Sequence, residues 1–368
     1  MISERARPVV GDVVRVLSDA YPLGTAEPWD RVGLIVGDPA LVATGVLVTL
    51  DATAEAVARA VAAGANVLVT HHPPYLEPPA SLAPGPGAAG AAMAAAQAGV
   101  ALVAMHTNLD ASVEGAEALP RLLGFTPVEP VRHTLEQVSV VVAYVPEADG
   151  ETVRLAMSAA GAGEIGAYTG CAFTAPGTGH FHPGTAARPV VAARTEGVAE
   201  VRVEMVAPRH RVPEVLAAAR AAHPYEEPVL LAVDAVRGLA DIGLGRICTW
   251  REGATVRDAA AHVSRTLGVG VRVHGLATAA VSRIAVAGGS AGSLVPSLVG
   301  RADVLVAGEV RYHDALDAMA AGIAVIEAGH DSTEFALVGL LAQTLANGLP
   351  TLRVVTELEQ TATWTLEA

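Results

Sequence analysis

Residues 46–76 read VLVTLDATAEAVARAVAAGANVLVTHHPPYL, and the fold class is decided there. An unbroken apolar run, VLVTL (46–50), passes through Asp51 into an alanine-rich segment whose apolar spacing fits one face of a helix. That segment, TAEAVARAVAAG (53–64), closes on a glycine, a common helix stop. A second apolar run, VLVT (67–70), follows and ends in His71-His72-Pro73. Short runs without polar alternation mark strands covered on both faces, so a mainly parallel sheet with helical crossovers is predicted.

Working outward, VALVAM (100–105) supplies a third strand of this kind. The Pro/Gly-rich LEPPASLAPGPGAAG (76–90) is a loop inside a strand-helix unit rather than a linker. The last third repeats the logic with RIAVA (283–287), ADVLVAG (302–308), GIAVIEAG (322–329) and LRVVT (352–356). Between them the texture changes. VSVVVAYVP, a helix ending in GAGEIG, a Gly/Pro/His stretch at 170–189, VRVEMV, the helix VPEVLAAARAAH and VLLAVDAV give β-α-β-β-α-β order, a ferredoxin-like split βαβ module. The expected organisation is an α/β metal-binding domain in two parts, 1–129 and 239–368, with an α+β insert at 130–238.

Composition narrows the chemistry. All 24 basic residues are arginine, so Schiff-base, pyridoxal-phosphate and P-loop lysine chemistry are excluded. A formal net charge of −14 sits badly with a nucleic-acid partner. The two cysteines, Cys171 and Cys248, form no Cys-x-x-Cys pair, so any metal site must use imidazole and carboxylate. No apolar run reaches membrane-span length and the N-terminus has no signal-peptide pattern; a cytoplasmic location is expected.

Ligands of open α/β sheets gather beyond the carboxyl ends of the strands. Here those ends carry Asp51; His71 and His72; His106, Thr107 and Asp110; Glu309 and His313; and His330 with Glu334. One such histidine is usually structural, but this many together point to metal. His71 and His72 can aim at two neighbouring ions, and His330 and Glu334, spaced i, i+4, share a helix face. The alternative for Glu334 is a helix-cap partner of Asp331. The expected metal ligands are His71, His72, Asp110, His330 and Glu334, holding two divalent transition-metal ions per chain (Zn, Fe, Mn or Co) with Glu334 bridging. Thr107, His106 and His313 are candidates to orient ligands, the two histidines also to act as catalytic acid and base. The turn Gly288-Gly289-Ser290-Ala291-Gly292-Ser293 could cradle a phosphate or simply be tight.

At these residues the chain resembles the NIF-three-like dinuclear metal-binding family, often labelled GTP cyclohydrolase I type II homologues. The motifs that carry the resemblance are AEPWDRVGLIVGD (26–38), VTLDAT (48–53), VTHHPPYL (69–76), HTNLD (106–110), GGSAGS (288–293), GEVRYHDALDA (308–318) and AGHDSTE (328–334). GAGEIGAYTGCAFTAPGTGHFHP (161–183) and AAHPYEEPV (221–229) are similar to the PII/CutA-like insert of the longer bacterial members. The resemblance implies the same five metal ligands and a homohexameric ring. Arg31 departs from the family's usual asparagine, and the C-terminal TELEQTATWTLEA from its usual ending. The expected function is a metal-dependent hydrolase of a nucleotide or related heterocycle, GTP cyclohydrolase-like or a phosphoesterase, with metal-bound water as nucleophile. The alternative is a regulatory or metal-handling protein whose insert senses a ligand.

Overall fold

A computed structural model describes residues 7–81, 88–166, 168–182 and 197–356. The chain divides into two compact units, one of residues 1–134 with 239–368, the other of 135–238. The division at 134/135 and the 129/130 boundary expected from sequence both fall within one long strand, Thr126–Pro146.

The first unit begins with α1 (Val10–Ala20), β1 (Gly33–Val36), β2 (Val46–Thr49), α2 (Ala54–Ala62), β3 (Val67–Thr70), α3 (Ala88–Ala98), β4 (Ala101–Ala104), α4 (Thr107–Ala111) and α5 (Val113–Leu122). Next comes β5 (Thr126–Pro146), whose later part opens the second unit with α6 (Gly150–Ala159), β6 (Phe173–Gly179), β7 (Val198–Pro208) and α7 (Val212–Ala222). Strand β8 (Leu230–Thr255) returns the chain to the first unit. There follow α8 (Val256–Leu267), β9 (Arg272–His274), β10 (Ala280–Val286), β11 (Val304–Ala307), α9 (Tyr312–Ala320), β12 (Ala324–Glu327), α10 (His330–Gly348) and β13 (Val354–Thr356).

The first unit holds two sheets. One has the order β1-β4-β3-β2-β13, parallel except for β1. The other uses the end of β8 in the order β8-β10-β11-β12-β9, with β10, β11 and β12 parallel. Alternate residues of each strand go to opposite faces, as the pleat requires. In the first sheet Val46, Val48, Val67, Val69 and Val103 pack on α1 and α10, while Leu47, Leu68 and Leu102 pack on α2 and α3. In the second, Ile284, Val286, Val304, Val306 and Ile326 face α5 and α8, and Ala285, Leu305 and Val325 face α9.

Helix α10 positions the site. It starts just after β12 of one sheet, yet its Leu337, Val338, Leu341 and Leu345 are buried against the other. Two of the strands the sequence analysis did not find, β1 and β9, are short antiparallel edges.

The second unit runs β5, α6, β6, β7, α7, β8 with strand order β6-β7-β5-β8. Its core is its own: Val141, Ala143, Val145, Val203 and Met205 beneath Val153 and Met157 of α6 and Val215 and Ala219 of α7. Strand β6 lies in the Gly/Pro/His stretch, whose residues from 183 on fall outside the described ones, as does most of the C-terminal departure noted above. No helix among the described residues is long and apolar enough to cross a membrane.

Candidate metal centre

Register brings the histidines together. Thr49 pairs with Thr70 and Thr70 with Ala104, so β2, β3 and β4 end at one level. The ladder continues past the strands, His72 donating its N–H to Leu50 O and Met105 to Thr70 O. Asp51, His71, His72 and His106 therefore emerge side by side, and α4 adds Asp110. From the opposite direction, α10 delivers His330 and Glu334.

Glu334 sits between two groups of donors. Its Oε2 accepts from His72 Nε2 at 2.9 Å and lies 3.2 Å from His330 Nε2. Its Oε1 is 3.7 Å from His71 Nε2, which is also 3.6 Å from Asp110 Oδ1. The sets His72, His330, Glu334 and His71, Asp110, Glu334 each bring one ligand atom per residue within 4.8 Å of one another; so does a third set, His71, His72 and His106. Bonds of about 2.1 Å to a shared ion would put two of its ligands roughly 3 to 3.5 Å apart, close to these separations.

The outer nitrogens are already engaged. His71 Nδ1 donates to Met105 O at 2.9 Å, and the Nδ1 atoms of His72, His330 and His106 face Asp51 (2.8 Å), Glu309 (3.2 Å) and Asp30 (2.8 Å). A carboxylate or carbonyl behind each ring keeps the Nδ1 proton in place, so that Nε2, once it gives up its own proton, would turn a lone pair toward the centre, as metal-ligating histidines require. His71 Nε2 is buried with no hydrogen-bond partner. A buried polar nitrogen is costly unless something binds it, and a cation between His71, Asp110 and Glu334 meets that need.

The electrostatics agree. Burial disfavours a charged His72 ring, but its bonds to Asp51 and Glu334 outweigh this and hold its pKa up at about 10. Glu334 itself raises His330 to about 9. For His71 the burial is complete, yet Asp110 and Glu334 still push its pKa upward. Glu334 stays ionised well below the usual carboxylate range: burial opposes this, and the surrounding imidazoles prevail. The cluster attracts positive charge, which protons supply when no metal does.

The structure bears on three of the sequence readings. Glu334 does not take the alternative role of cap partner: α10 starts at His330 behind Gly329, and among the described residues Asp331 accepts only the N–H of Ser332. In the turn from Gly288 to Ser293 the amides of Gly289 and Ala291 are already engaged, which favours the tight-turn reading over a phosphate cradle. Gly289 has φ +58° and donates its N–H to Thr333 Oγ1, and a Cβ there would fall on Glu334 Oε1. The turn needs small residues because the carboxylate occupies that space. His313, expected as an acid or base, is exposed on the first turn of α9 with its ring against Tyr312, and no bond joins it to the cluster among the described residues. His106, by contrast, packs edge-on against both His71 and His72.

One functional residue escaped the sequence reading. Asp30 is buried, accepts the backbone N–H and hydroxyl of Thr107, and pairs with His106. It lies in a loop without periodicity and 76 positions from His106, so only its place in the WDRVG motif marked it. Arg31 beside it is exposed and donates its N–H to Asp30. A cavity of about 360 Å³ adjoins the cluster, lined by His106, Asp110, His330 and Glu334 on one side and by Glu27, Trp29 and Arg132 among others.

This arrangement can be set beside known proteins. The model of the Duf34/NIF3 (NGG1p interacting factor 3) family matches residues 8–362. The chain belongs to the Duf34/NIF3 family. A relative from Mycobacterium tuberculosis (strain ATCC 25618 / H37Rv) named "GTP cyclohydrolase 1 type 2 homolog" is 37% identical over 348 residues, covering 91% of this chain and 91% of its own. One of the same name from Staphylococcus aureus (strain COL) is 31% identical, covering 95% and 96%. Among solved structures, a Bacillus cereus protein related to NIF3 aligns with TM-score 0.74 and 30% identity over 98% of this chain and 99% of that one. The Duf34/NIF3 assignment thus extends to a shared mixed α/β fold across nearly the whole chain.

Proposed function

We propose that this chain is a dinuclear metal protein that hydrolyses a nucleotide or related heterocycle. One observation carries the reading: the two oxygens of Glu334 serve different ligand groups, Oε1 beside His71 and Oε2 beside His72 and His330. His71 and Asp110 would hold one divalent transition-metal ion (Zn, Fe, Mn or Co), His72 and His330 the second, and Glu334 both. A bound pair supplies Lewis acidity and lowers the pKa of water toward neutrality. The chain's own residues do the rest. Asp51, Glu309 and Met105 O hold three rings in place, and His106, held by Asp30, lines the cavity where it can pass a proton to or from a reacting group. The name carried by the relatives favours a cyclohydrolase-type opening of a heterocyclic ring, with phosphoester hydrolysis as the rival.

The test is a screen of nucleotides and heterocycles with the Mn, Fe and Zn forms, comparing released formate with released phosphate. Turnover should vanish on chelation and in Glu334→Ala, and survive in His313→Ala. Turnover that outlasts full metal removal would sink the hydrolase reading.

The second unit favours a complementary reading. Its strand order and separate core support a ferredoxin-like insert of the PII/CutA kind, suited to self-association into a homohexamer or to sensing a small ligand. If no substrate turns over, regulation or metal handling through that unit takes precedence.

A further inference from the structure

The cavity has a second character away from the candidate ligands. Trp29 lines it and is 51% exposed, unusual for so large an aromatic ring. Its ring meets His106 at 75° with centroids 6.1 Å apart, a T-shaped contact in which His106 leaves at least one indole face to other partners. Glu27 and Arg132 also line the cavity and are joined by a 2.8 Å ion pair. Glu27 donates its backbone N–H to Thr107 Oγ1, which anchors that pair beside the residue following His106.

Charge decides which ligand fits. Arg132 is the sole arginine among the described lining residues, and Glu27 already neutralises it. Asp30, Asp51, Asp110, Glu309 and Glu334 all stand on the imidazoles or beside them. Together these carboxylates outweigh the charge of two divalent ions, in a chain of net charge −14. A polyphosphate would enter a cleft with no free side-chain cation among its described lining residues, where unfavourable charge is poorly screened.

We infer that the cavity selects an uncharged or weakly charged planar heterocycle, its ring stacked on Trp29 and its polar edge read by the Glu27–Arg132 pair, and that it disfavours nucleoside triphosphates. Glu27 offers an acceptor and Arg132 donors side by side, the complement of an amide-like ring edge. Stacking on an aromatic side chain adds affinity without demanding one base. The volume of about 360 Å³ suits a molecule of nucleoside size. This deepens the hydrolase reading and rests on it for the substrate class, but it depends on different side chains.

The experiment is equilibrium dialysis of guanosine and of GTP against Mn-loaded protein at fixed free Mn, with metal content measured in parallel. Guanosine should bind about tenfold or more tightly than GTP. Trp29→Ala should weaken guanosine about tenfold while Trp29→Phe keeps most of the affinity, both with wild-type metal content. A smaller gap, the reverse order, or unchanged guanosine binding in Trp29→Ala overturns the inference. Absence of guanosine binding to fully metallated protein overturns it too and leaves the metal centre standing. Failure to take up ions instead removes the metal reading; the two-ligand comparison still decides the inference, because the Trp29 face and the Glu27–Arg132 pair form without metal.

Discussion

His72 and Glu334, 262 positions apart in the chain, share a hydrogen bond of 2.9 Å between Nε2 and Oε2. Neither side chain would be at home alone: a half-buried ring and a buried carboxylate are tolerated because each offsets the charge of the other. Both atoms are candidate metal ligands, so an ion bound here would have to replace the bond that joins them.

Glu334→Gln keeps the side chain's size and removes its charge. Metal content, measured by elemental analysis after reconstitution, should fall from close to two ions per chain to one or fewer. A full complement in the variant would show that Glu334 does not bridge.

Asp51→Asn tests the residue behind the ligand. Asp51 is 55% exposed and holds His72 Nδ1, so its loss should barely affect folding yet lower metal affinity about 10- to 100-fold. Competition with a chelator of known affinity reads this out; an unchanged affinity would mean that the ring needs no carboxylate to orient it.

Metal uptake should depend on pH with a definite sign. In the metal-free protein His72 and His330 hold their protons up to about 10 and about 9, above the value near 6.5 expected of the unfolded chain. Their contribution to apo stability is therefore full below about pH 6.5 and lost as pH rises through about 9 to 10. Ions bind only the neutral rings, so binding releases protons and affinity climbs from pH 6 to 9. Calorimetric titration in buffers of different ionisation enthalpy should detect that release; heats independent of buffer would contradict the assignment.

Gly289→Ala should cost about 1–2 kcal/mol from its left-handed backbone and also abolish metal uptake, because the new Cβ meets Glu334 Oε1. Gly300→Ala is the control: φ is +71° but nothing lies within 4 Å of the added carbon. It should lose comparable stability and keep its metal. Equal metal loss in both would trace the effect to general destabilisation.

Much of this was legible before any coordinates. The interior strands β2, β3, β11 and β12 are buried along their whole length, so they appear as bare apolar runs. Edge strands lack that signature: β9 is three residues long and β1 is mostly half-buried. Parallel strands end at a common level, which let Asp51, His71, His72 and His106 be grouped from their positions alone. Asp30 could not be grouped, since it comes from a loop whose path is set by tertiary contacts. His313 shows the opposite case. It follows a strand closely, yet lies exposed on the first turn of α9 with its ring against Tyr312.

The placement of α10 governs the order of events during synthesis. Helix α10 carries both a share of the cover of one face of the first sheet, beside α1, and two residues of the candidate metal cluster, His330 and Glu334. At about 5–20 residues per second, the ribosome needs roughly 13 to 50 s to travel the 262 positions from His72 to Glu334. For that interval the nascent chain lacks the part of the apolar cover that α10 supplies and two of the candidate ligands, and the arrival of one helix brings both.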